Sequence, residues 1–335
     1  GKSNTASKRI TTSQRNAASK RNTKKLEAIA GSELSFGRIK VPISNATKIY
    51  WPDEEINKGM MINYYQSIAD VILPYLKDRP QSLKRNPGGI NDQGFFHKDA
   101  GEQAPDWVKT YPVYSESSNK TIDYIICNNK ATLAYLNNLG CIELNPWHSR
   151  TNKDDYPDYL IIDIDPSEKN NFEEVIETAQ CFKELCDVIK IDSFCKTSGA
   201  TGLHIYIPMG RKYQYEEVKD FARLLCMLVN DRLPAITSME RSLKKRGNMI
   251  YLDYLQNRRG QTIASVYSLR PRPGATVSAP LNWNEVKKGV RPSDFNIYNM
   301  TERLRNTGDI FKGILGAGIN MRKSLEILES TGDLE

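Results

Sequence analysis

The chain has 335 residues, of which 39% are hydrophobic and 26% are charged, and its formal net charge is +7. A chain of this length can bury a large core, and the absence of any apolar run of about 18 residues excludes a typical membrane-spanning helix. Its six cysteines show no Cys-x-x-Cys spacing, which favours buried free thiols over disulfides or a zinc site.

Positive charge is concentrated in two segments. Residues 1–35 carry eight Lys or Arg against two Glu, and residues 241–272 carry eight against the single Asp253. The first segment has few large apolar residues, so we predict a disordered basic tail or interdomain linker over residues 1–38, followed by one compact domain over 39–335. The second segment favours a polyanionic partner, although a run of charge can also be an ordinary solvated face.

The first predicted elements of the domain are a short strand over 48–52 and a helix over 59–76. A further strand is predicted around Phe95 and Phe96. Adjacent side chains on a strand point to opposite faces, so only one of these two rings is expected in the core. The other is free to stack on a nucleic-acid base, or it packs under a loop.

The next part of the chain is predicted to form a strand over 122–127, a helix over 130–138 and a strand over 141–144. His148 then follows a proline turn. A lone histidine is more often structural than functional, and the local sequence leaves both interpretations open.

The strongest local signal is an apolar strand that ends in Asp163 and Asp165, stopped by Pro166. The period of two residues puts both carboxylates on one face of the strand. The two charges would repel each other unless a cation lies between them, and carboxylate oxygens suit magnesium or manganese. On this pair alone, capping of the following helix is an equally good interpretation.

A helix is predicted over 172–189, and after it a loop of small residues, 197–202, lies between two predicted strands. Its hydroxyl groups and exposed amides, with Lys196 and His204 beside it, are suited to binding phosphate oxygens. It is not a P-loop, because no Gly-Lys-Ser/Thr follows, and an ordinary hairpin would have a similar sequence.

A second long helix is predicted over 215–233, and an apolar strand over 249–255 contains Asp253. A charge inside an apolar strand needs a partner, which a metal shared with Asp163 and Asp165 would provide. Two arginines that alternate on one face before a Pro-Gly turn, Arg270 and Arg272, are placed to face a triphosphate. These features predict a two-metal site for phosphoryl or nucleotidyl transfer. Short helices are predicted to close the chain over 281–287, 298–306 and 321–328.

Three motifs of this sequence resemble the polymerase module of bacterial ligase D, in the archaeo-eukaryotic primase superfamily. They are Leu160-Ile161-Ile162-Asp163-Ile164-Asp165-Pro166, Lys196-Thr197-Ser198-Gly199-Ala200-Thr201-Gly202-Leu203-His204 and Asp253-Tyr254-Leu255-Gln256-Asn257-Arg258-Arg259-Gly260. The resemblance covers about residues 40–330. It implies an α+β fold whose primase-like catalytic core has two mixed or antiparallel sheets flanked by helices.

The resemblance also implies roles for single residues. The catalytic, metal-binding carboxylates would be Asp163, Asp165 and Asp253. The nucleotide-binding residues would be His148, Ser198, Thr201, His204, Arg270 and Arg272. The DNA-binding residues would be Lys48 and Lys58 at a 5′-phosphate, Phe95 and Phe96 at the template, and Lys98 and Arg246.

The implied activity is template-dependent and template-independent addition of nucleotides, preferably ribonucleotides, to primer 3′ ends at gaps and double-strand breaks during non-homologous end joining. The implied cofactors are two divalent ions, Mn²⁺ or Mg²⁺, with NTP or dNTP as substrate. The implied partners are DNA with a 5′-phosphate, Ku, and ligase and nuclease domains of the same polypeptide. The implied location is the bacterial cytoplasm, at the nucleoid.

The sequence departs from the family pattern at three positions. Thr201 stands where many relatives have a lysine, Gln256 where an arginine is frequent, and Asp99 where a histidine is frequent. Two functions other than nucleotide addition fit part of the sequence. A catalytically weak module that binds or bridges DNA ends would not need three aspartates, and a metal-dependent phosphoesterase would not need arginines that face a triphosphate.

Overall fold

The computed structural model describes residues 26–29, 31–101, 104–116 and 118–331. The helices are α1 Lys58–Ser67, α2 Ala69–Leu76, α3 Lys130–Asn138, α4 Phe172–Val188, α5 Tyr215–Arg232, α6 Leu243–Arg246, α7 Met300–Thr307 and α8 Met321–Thr331. The strands of the first half are β1 Glu33–Phe36, β2 Ile39–Pro42, β3 Ile49–Trp51, β4 Ile56–Asn57, β5 Gln81–Arg85, β6 Phe95–His97, β7 Thr110–Ser115, β8 Lys120–Ile125 and β9 Cys141–Pro146. The remaining strands are β10 Tyr159–Asp165, β11 Phe194–Thr197, β12 Leu203–Pro208, β13 Thr237–Ser238, β14 Ile250–Asp253 and β15 Pro280–Leu281.

Two sheets form the body of the fold. The main sheet has six strands in the order β13-β14-β10-β12-β11-β15, and it is antiparallel except for the parallel pair β13 and β14. The small sheet has three antiparallel strands in the order β6-β5-β9. Two-stranded ribbons are formed by β1 with β2, β3 with β4, and β7 with β8. The α+β fold predicted from the sequence is confirmed.

The central strand β10 is surrounded by hydrophobic core. Leu160, Ile161 and Ile162 are fully buried, and α4 and α5 pack against this strand and against each other. Helix α4 begins with a capping box in which Asn171 and Glu174 each bind the backbone N–H of the other, so its start is fixed by sequence. Strand β10, which carries Asp163 and Asp165, is therefore supported by two packed helices.

The region predicted as one helix over 59–76 is two helices. The break falls at Ile68, and the Ser67 hydroxyl donates to the carbonyl of Tyr64 at 2.7 Å. Such a side-chain bond competes with the helical backbone ladder. The apolar spacing continues through the break because both helices face the same core, which is why periodicity alone predicted one helix.

The predicted boundary at residue 39 is too late. Strand β1 pairs with β2 from Glu33 onward, and Leu34 and Phe36 pack against the core. The sequence did not predict this strand, because its apolar residues are isolated in a segment that is otherwise polar and charged. Residues 1–25 and 30 of the predicted basic tail lie outside the described residues.

Other predictions differ in detail. Strand β7 was not predicted, because Pro112 interrupts its apolar pattern. The helix predicted over 281–287 is wrong, because Leu281 ends β15 and a 3₁₀ turn, Trp283–Glu285, follows it. All six cysteines are free and buried, as predicted. In the part of the chain that the structure describes, no helix combines the length and apolar character needed to cross a bilayer.

Candidate active site

Four polar side chains, Asp253, Asp163, His204 and Lys196, form a row across four adjacent strands of the main sheet. Asp163 on β10 pairs with Asp253 on β14 and with His204 on β12, and His204 pairs with Lys196 on β11. Directly paired residues of antiparallel strands place their side chains on the same face. We call this set the polar row. Asp165 lies two residues beyond Asp163 and shares its face.

Burial and neighbouring carboxylates raise the pKa of Asp163 in the polar row. The Asp163 side chain is 21% exposed, and burial, together with the charges of Asp165 and Asp253, raises its pKa to about 7. Lys196 and Arg270 oppose this shift. Burial also raises the pKa of Asp253, against the hydrogen bonds that its carboxylate accepts. Negative charge is therefore costly here, and a bound cation would relieve that cost.

Hydrogen-bond donors already contact two of the carboxylates, Asp253 and Asp165. Asp253 accepts from the Leu255 amide at 2.9 Å and from Gln256 Nε2 at 3.3 Å, and Asp165 Oδ2 lies 3.4 Å from the Arg246 guanidinium. Within the described ranges, no group of three or more His, Cys, Asp or Glu side chains is arranged to hold a metal ion. The donor chemistry fits Mg²⁺ or Mn²⁺, and Arg246 is a stand-in cation beside Asp165.

The loop over residues 198–202 is packed against the end of β10. The Ser198 hydroxyl accepts from the amides of Ala200 and Gly202, both at 3.0 Å. Gly199 has φ +70°, and a Cβ on Gly202 would lie 2.1 Å from the carbonyl oxygen of Ile164. Glycine is required at both positions, and this close approach brings the 198–202 loop beside Asp163 and Asp165.

Arg270 connects this loop to the small sheet. Its Nε donates to Glu143 at 2.7 Å, and its terminal nitrogen donates to the carbonyl of Ser198. Arg272 is exposed on a turn in which its amide donates to the Arg270 carbonyl. The two arginines therefore do not alternate on a strand as predicted, since the prolines at 271 and 273 cannot donate to a sheet. Thr201 is exposed in the 198–202 loop.

His148 is buried next to a small cavity. It is 1% exposed, and burial, with the charge of Arg79, lowers its pKa to about 3, so the ring is neutral. Neither ring nitrogen has a hydrogen-bond partner among the described residues. The cavity, about 10 Å³, has room for roughly one water. It is lined by His148 with Tyr75, Pro146, Tyr159, Tyr206, Ile263, Ser265, Val266, Phe311 and Ile314.

Lys48 and Lys58 are neighbours at the ends of β3 and β4. The Lys58 amide donates to the Lys48 carbonyl at 2.9 Å, and burial, together with the charge of Lys48, lowers the pKa of Lys58 to about 8. Lys58 is only 4% exposed and donates to Asn138 Oδ1 at 2.8 Å and to the Ser44 carbonyl at 2.7 Å. Lys48 is the exposed member of the pair.

Phe95 and Phe96 are both exposed, by 47% and 59%. The expectation that one of them is a core residue is wrong, because β6 is a three-residue strand at the edge of the small sheet. Arg85 lies 5.3 Å from the ring of Phe95, and Lys84 lies 4.9 Å from that of Phe96. Lys98 follows β6 and is exposed. Two rings and nearby cations form a surface suited to bases and phosphates.

One predicted DNA contact, Arg246, is turned toward the interior, and one residue of the site, Glu143, was not predicted. Arg246 is 6% exposed and stacks on Tyr251 at 5.1 Å, so it faces Asp165 and not the solvent. Glu143, which holds Arg270, was not singled out from the sequence. Its only local signal was a carboxylate inside an otherwise apolar strand.

The sequence matches the model of the LigD primase-polymerase domain over residues 57–311. The chain belongs to this family. A Bifunctional non-homologous end joining protein LigD from Bacillus subtilis is 32% identical over 271 residues, covering 80% of this chain and 43% of that protein. A Multifunctional non-homologous end joining protein LigD from Mycolicibacterium smegmatis is 27% identical over 249 residues, covering 74% of this chain and 32% of that protein. The chain thus spans less than half the length of these curated LigD relatives.

A solved structure supports the same assignment. The polymerase domain from Mycobacterium tuberculosis Ligase D in complex with DNA superposes with a TM-score of 0.77 at 25% identity, covering 83% of this chain and 99% of that one. The resemblance to LigD polymerase domains and the α+β fold are confirmed. The roles of single residues in this LigD primase-polymerase domain stay predictions.

Proposed function

We propose that this LigD primase-polymerase domain is a nucleotidyltransferase that adds nucleotides, preferably ribonucleotides, to primer 3′ ends at gaps and double-strand breaks. The observation that carries the proposal is the register that brings Asp163, Asp165 and Asp253 to one end of the main sheet. The 198–202 loop and Arg270 lie directly beside them. Carboxylates next to an amide-rich loop and an arginine suit transfer of a nucleotidyl group.

Asp163, Asp165 and Asp253 would hold two divalent ions, Mg²⁺ or Mn²⁺. When bound, these ions would activate the primer 3′-hydroxyl and neutralise charge on the departing pyrophosphate. The contribution of the protein is to hold the three carboxylates on two paired strands, β10 and β14. Arg246, which now lies against Asp165, would have to share that carboxylate with a metal ion.

The triphosphate would lie against the 198–202 loop. Arg270 supplies a permanent charge there, and His204, whose Nε2 lies 3.4 Å from Asp163, supplies a donor from the adjacent strand. The exposed Arg272 and Thr201 would contact the same substrate from the rim. His148, neutral and without a partner, would contact the nucleotide only after its cavity opens.

DNA would bind on the side of the small sheet. Phe95, Phe96 and Lys98 would meet the template, while Lys48 and its buried neighbour Lys58 would hold a 5′-phosphate. The Mycobacterium tuberculosis Ligase D polymerase domain was solved in complex with DNA, which supports DNA binding by this domain. Arg246 would reach DNA only by leaving Asp165.

The names of the relatives support a place in non-homologous end joining. In that setting Ku and the ligase and nuclease parts of a longer polypeptide would be the partners, at the bacterial nucleoid. Addition would be both templated, at gaps, and untemplated, at free ends.

The test is extension of a labelled primer on a gapped duplex, with and without a 5′-phosphate, using rNTPs or dNTPs in Mg²⁺ or Mn²⁺. We expect released pyrophosphate, faster addition of rNTPs and a gain from the 5′-phosphate. We expect Asp163→Asn and Asp253→Asn each to lower the rate of primer extension about 10³-fold or more. A bound metal ion would stabilise the charge that develops in the transition state by several kcal/mol, and each substitution removes a carboxylate that would hold the ion.

The matched control is Asp220→Asn, which removes a carboxylate that is 73% exposed on α5 and should leave extension unchanged. Wild-type extension by Asp163→Asn would refute the proposal. DNA binding without any extension by the parent would instead favour an end-bridging module, and DNA hydrolysis without pyrophosphate release would favour a phosphoesterase.

A further inference from the structure

Glu143 is a buried carboxylate on β9 that contacts one end of the Arg270 guanidinium. Its side chain is 10% exposed, and its Oε2 accepts a hydrogen bond from Arg270 Nε at 2.7 Å. Strand β9 belongs to the small sheet, whereas the 198–202 loop joins two strands of the main sheet, β11 and β12. Arg270 therefore lies between the two sheets, with Glu143 on one side and the loop on the other.

A second contact fixes the other end of Arg270. Its terminal nitrogen Nη1 donates to the carbonyl of Ser198. The aliphatic part of the side chain packs on Gly199, where an added Cβ would lie 2.7 Å from Arg270 Cγ. A planar guanidinium that is bonded through Nε and Nη1 to two different elements cannot turn without breaking at least one of these bonds.

These two contacts use part of the hydrogen-bonding capacity of Arg270. A guanidinium has five N–H bonds. The one at Nε goes to Glu143 and one at Nη1 goes to Ser198, and among the described residues no further acceptor contacts this side chain. Three N–H bonds thus remain for a ligand at the 198–202 loop, in a plane that is already set.

A carboxylate is an unfavourable partner for an arginine that has to bind an anion. The proposed function puts a triphosphate beside Arg270, and a second negative charge next to this arginine repels that substrate. Burial of the Glu143 charge is a further cost. Orientation of the arginine offsets both costs, because binding loses less entropy when the donor is held in position before the substrate arrives. We propose that Glu143 is a positioning residue that holds Arg270 with its free N–H bonds toward the triphosphate.

This inference deepens the proposed function and rests on it, because Arg270 has to contact the nucleotide. It predicts an effect whose sign is opposite to that expected from charge alone. If Glu143 were merely a nearby negative charge, its removal would strengthen binding of a triphosphate, because a repulsion is lost. If Glu143 positions Arg270, its removal weakens binding.

The test is the affinity of the protein for a nucleoside triphosphate analogue with a non-hydrolysable α–β bridge, measured by calorimetry. We expect Glu143→Leu to weaken binding about tenfold, the usual scale for loss of one hydrogen bond to a charged group, and Arg270→Ala to weaken it at least as much. Glu143→Gln keeps an oxygen that can accept from Arg270 Nε, so its affinity should stay within about threefold of the parent's. Equal or tighter binding by Glu143→Leu overturns the proposal.

A double-mutant cycle separates positioning from a general effect on the fold. Glu143→Leu should have no further effect in the Arg270→Ala background, because the residue through which it acts is gone. An equal loss in both backgrounds would make Glu143 merely structural and overturns the proposal. If Glu143→Leu does not fold, Glu143→Asp replaces it, since it keeps the charge but is too short by one methylene to reach Arg270. Affinity equal to the parent's in Glu143→Asp then overturns the proposal, and an affinity several-fold weaker supports it.

Glu285→Leu is the matched control. Glu285 forms an ion pair of the same kind with Arg303, at 2.6 Å, on the 3₁₀ turn Trp283–Glu285 outside the 198–202 loop. Its loss should leave nucleotide affinity unchanged, and a loss of affinity as large as in Glu143→Leu would overturn the proposal. If the parent binds no triphosphate, or Arg270→Ala binds as tightly as the parent, the proposed role of Arg270 fails and this inference fails with it. Weak binding by Arg270→Ala with parental binding by Glu143→Leu overturns this inference alone.

Discussion

Asp163 is the carboxylate of the site whose pKa responds most to its neighbours. It lies between Asp253 and His204, and its pKa is raised to about 7 from a usual 3.8. A carboxyl group whose pKa is higher in the folded state than in the unfolded state makes folding less favourable as pH rises from 3.8 to 7. Above pH 7 the ionised Asp163 lowers the free energy of unfolding by its full amount unless a cation is bound.

The charge cost at Asp163 can be measured with Asp163→Asn, which cannot ionise. Without divalent ions, we expect the free energy of unfolding of Asp163→Asn to exceed that of the parent by a margin that grows by up to about 3 kcal/mol between pH 5 and pH 8. Urea unfolding in EDTA at the two pH values measures it.

Asp220→Asn controls for the general effect of losing one carboxylate. Its side chain is 73% exposed, so Asp220→Asn should change the free energy of unfolding by no more than about 0.5 kcal/mol in the same comparison. A margin for Asp163→Asn that shrinks as pH rises would contradict the raised pKa.

The decisive element is the 198–202 loop between β11 and β12. Its proposed role depends on contact with the end of β10, and Gly202 permits that contact because it has no Cβ, which would lie 2.1 Å from the Ile164 carbonyl oxygen. The loop is rigid, since the Ser198 hydroxyl bridges two of its amides. A loop that is held rigid before substrate arrives loses little entropy when it binds phosphate.

Gly202→Ala should therefore destabilise the domain. A Cβ there would lie 2.1 Å from a backbone oxygen, so the loop must move away from β10, and we expect the free energy of unfolding to fall by about 2 kcal/mol or more. Chemical denaturation measures this change.

Gly247→Ala is the control for the loss of glycine. Gly247 has φ +63° with no atom within 4 Å of an added Cβ, so only backbone strain of about 1 kcal/mol is expected. Equal costs at the two positions would mean that the close approach of the 198–202 loop does not constrain the fold.

At the scale of the whole molecule, a buried ion network connects the two sheets. Arg79, which precedes β5 of the small sheet, is fully buried and lies 2.7 Å from Asp158, which precedes β10 of the main sheet. Arg79 also donates to the His148 carbonyl at 2.6 Å, and Arg150 lies 3.1 Å from the same Asp158. The segment that carries His148 is thereby fixed between the sheets.

Arg79→Met should cost about 3–5 kcal/mol of unfolding free energy, because it leaves the buried Asp158 with one partner fewer. Thermal and urea unfolding measure the loss. Arg322→Met removes an arginine that is 90% exposed on α8, and its effect should stay within about 0.5 kcal/mol. A loss at Arg79 no larger than at Arg322 would show that the network does not hold the sheets together.

The sequence by itself determined the elements whose signal is local. The apolar run into Asp163 and Asp165, the periodicity of α4 and α5, and the small residues of the 198–202 loop each identify a structure from a few neighbouring residues. These signals sufficed to name the three aspartates as a predicted metal site, and the α+β fold followed from the resemblance of these motifs to ligase D polymerase modules.

Only the tertiary structure decided how these elements meet. Strand register put Asp253 and His204 on either side of Asp163, and it brought Lys196 behind His204. It also turned Arg246 toward Asp165, buried Lys58, and left both Phe95 and Phe96 exposed. These outcomes depend on contacts between residues far apart in the chain, because burial and partner choice arise from packing and not from the neighbouring sequence.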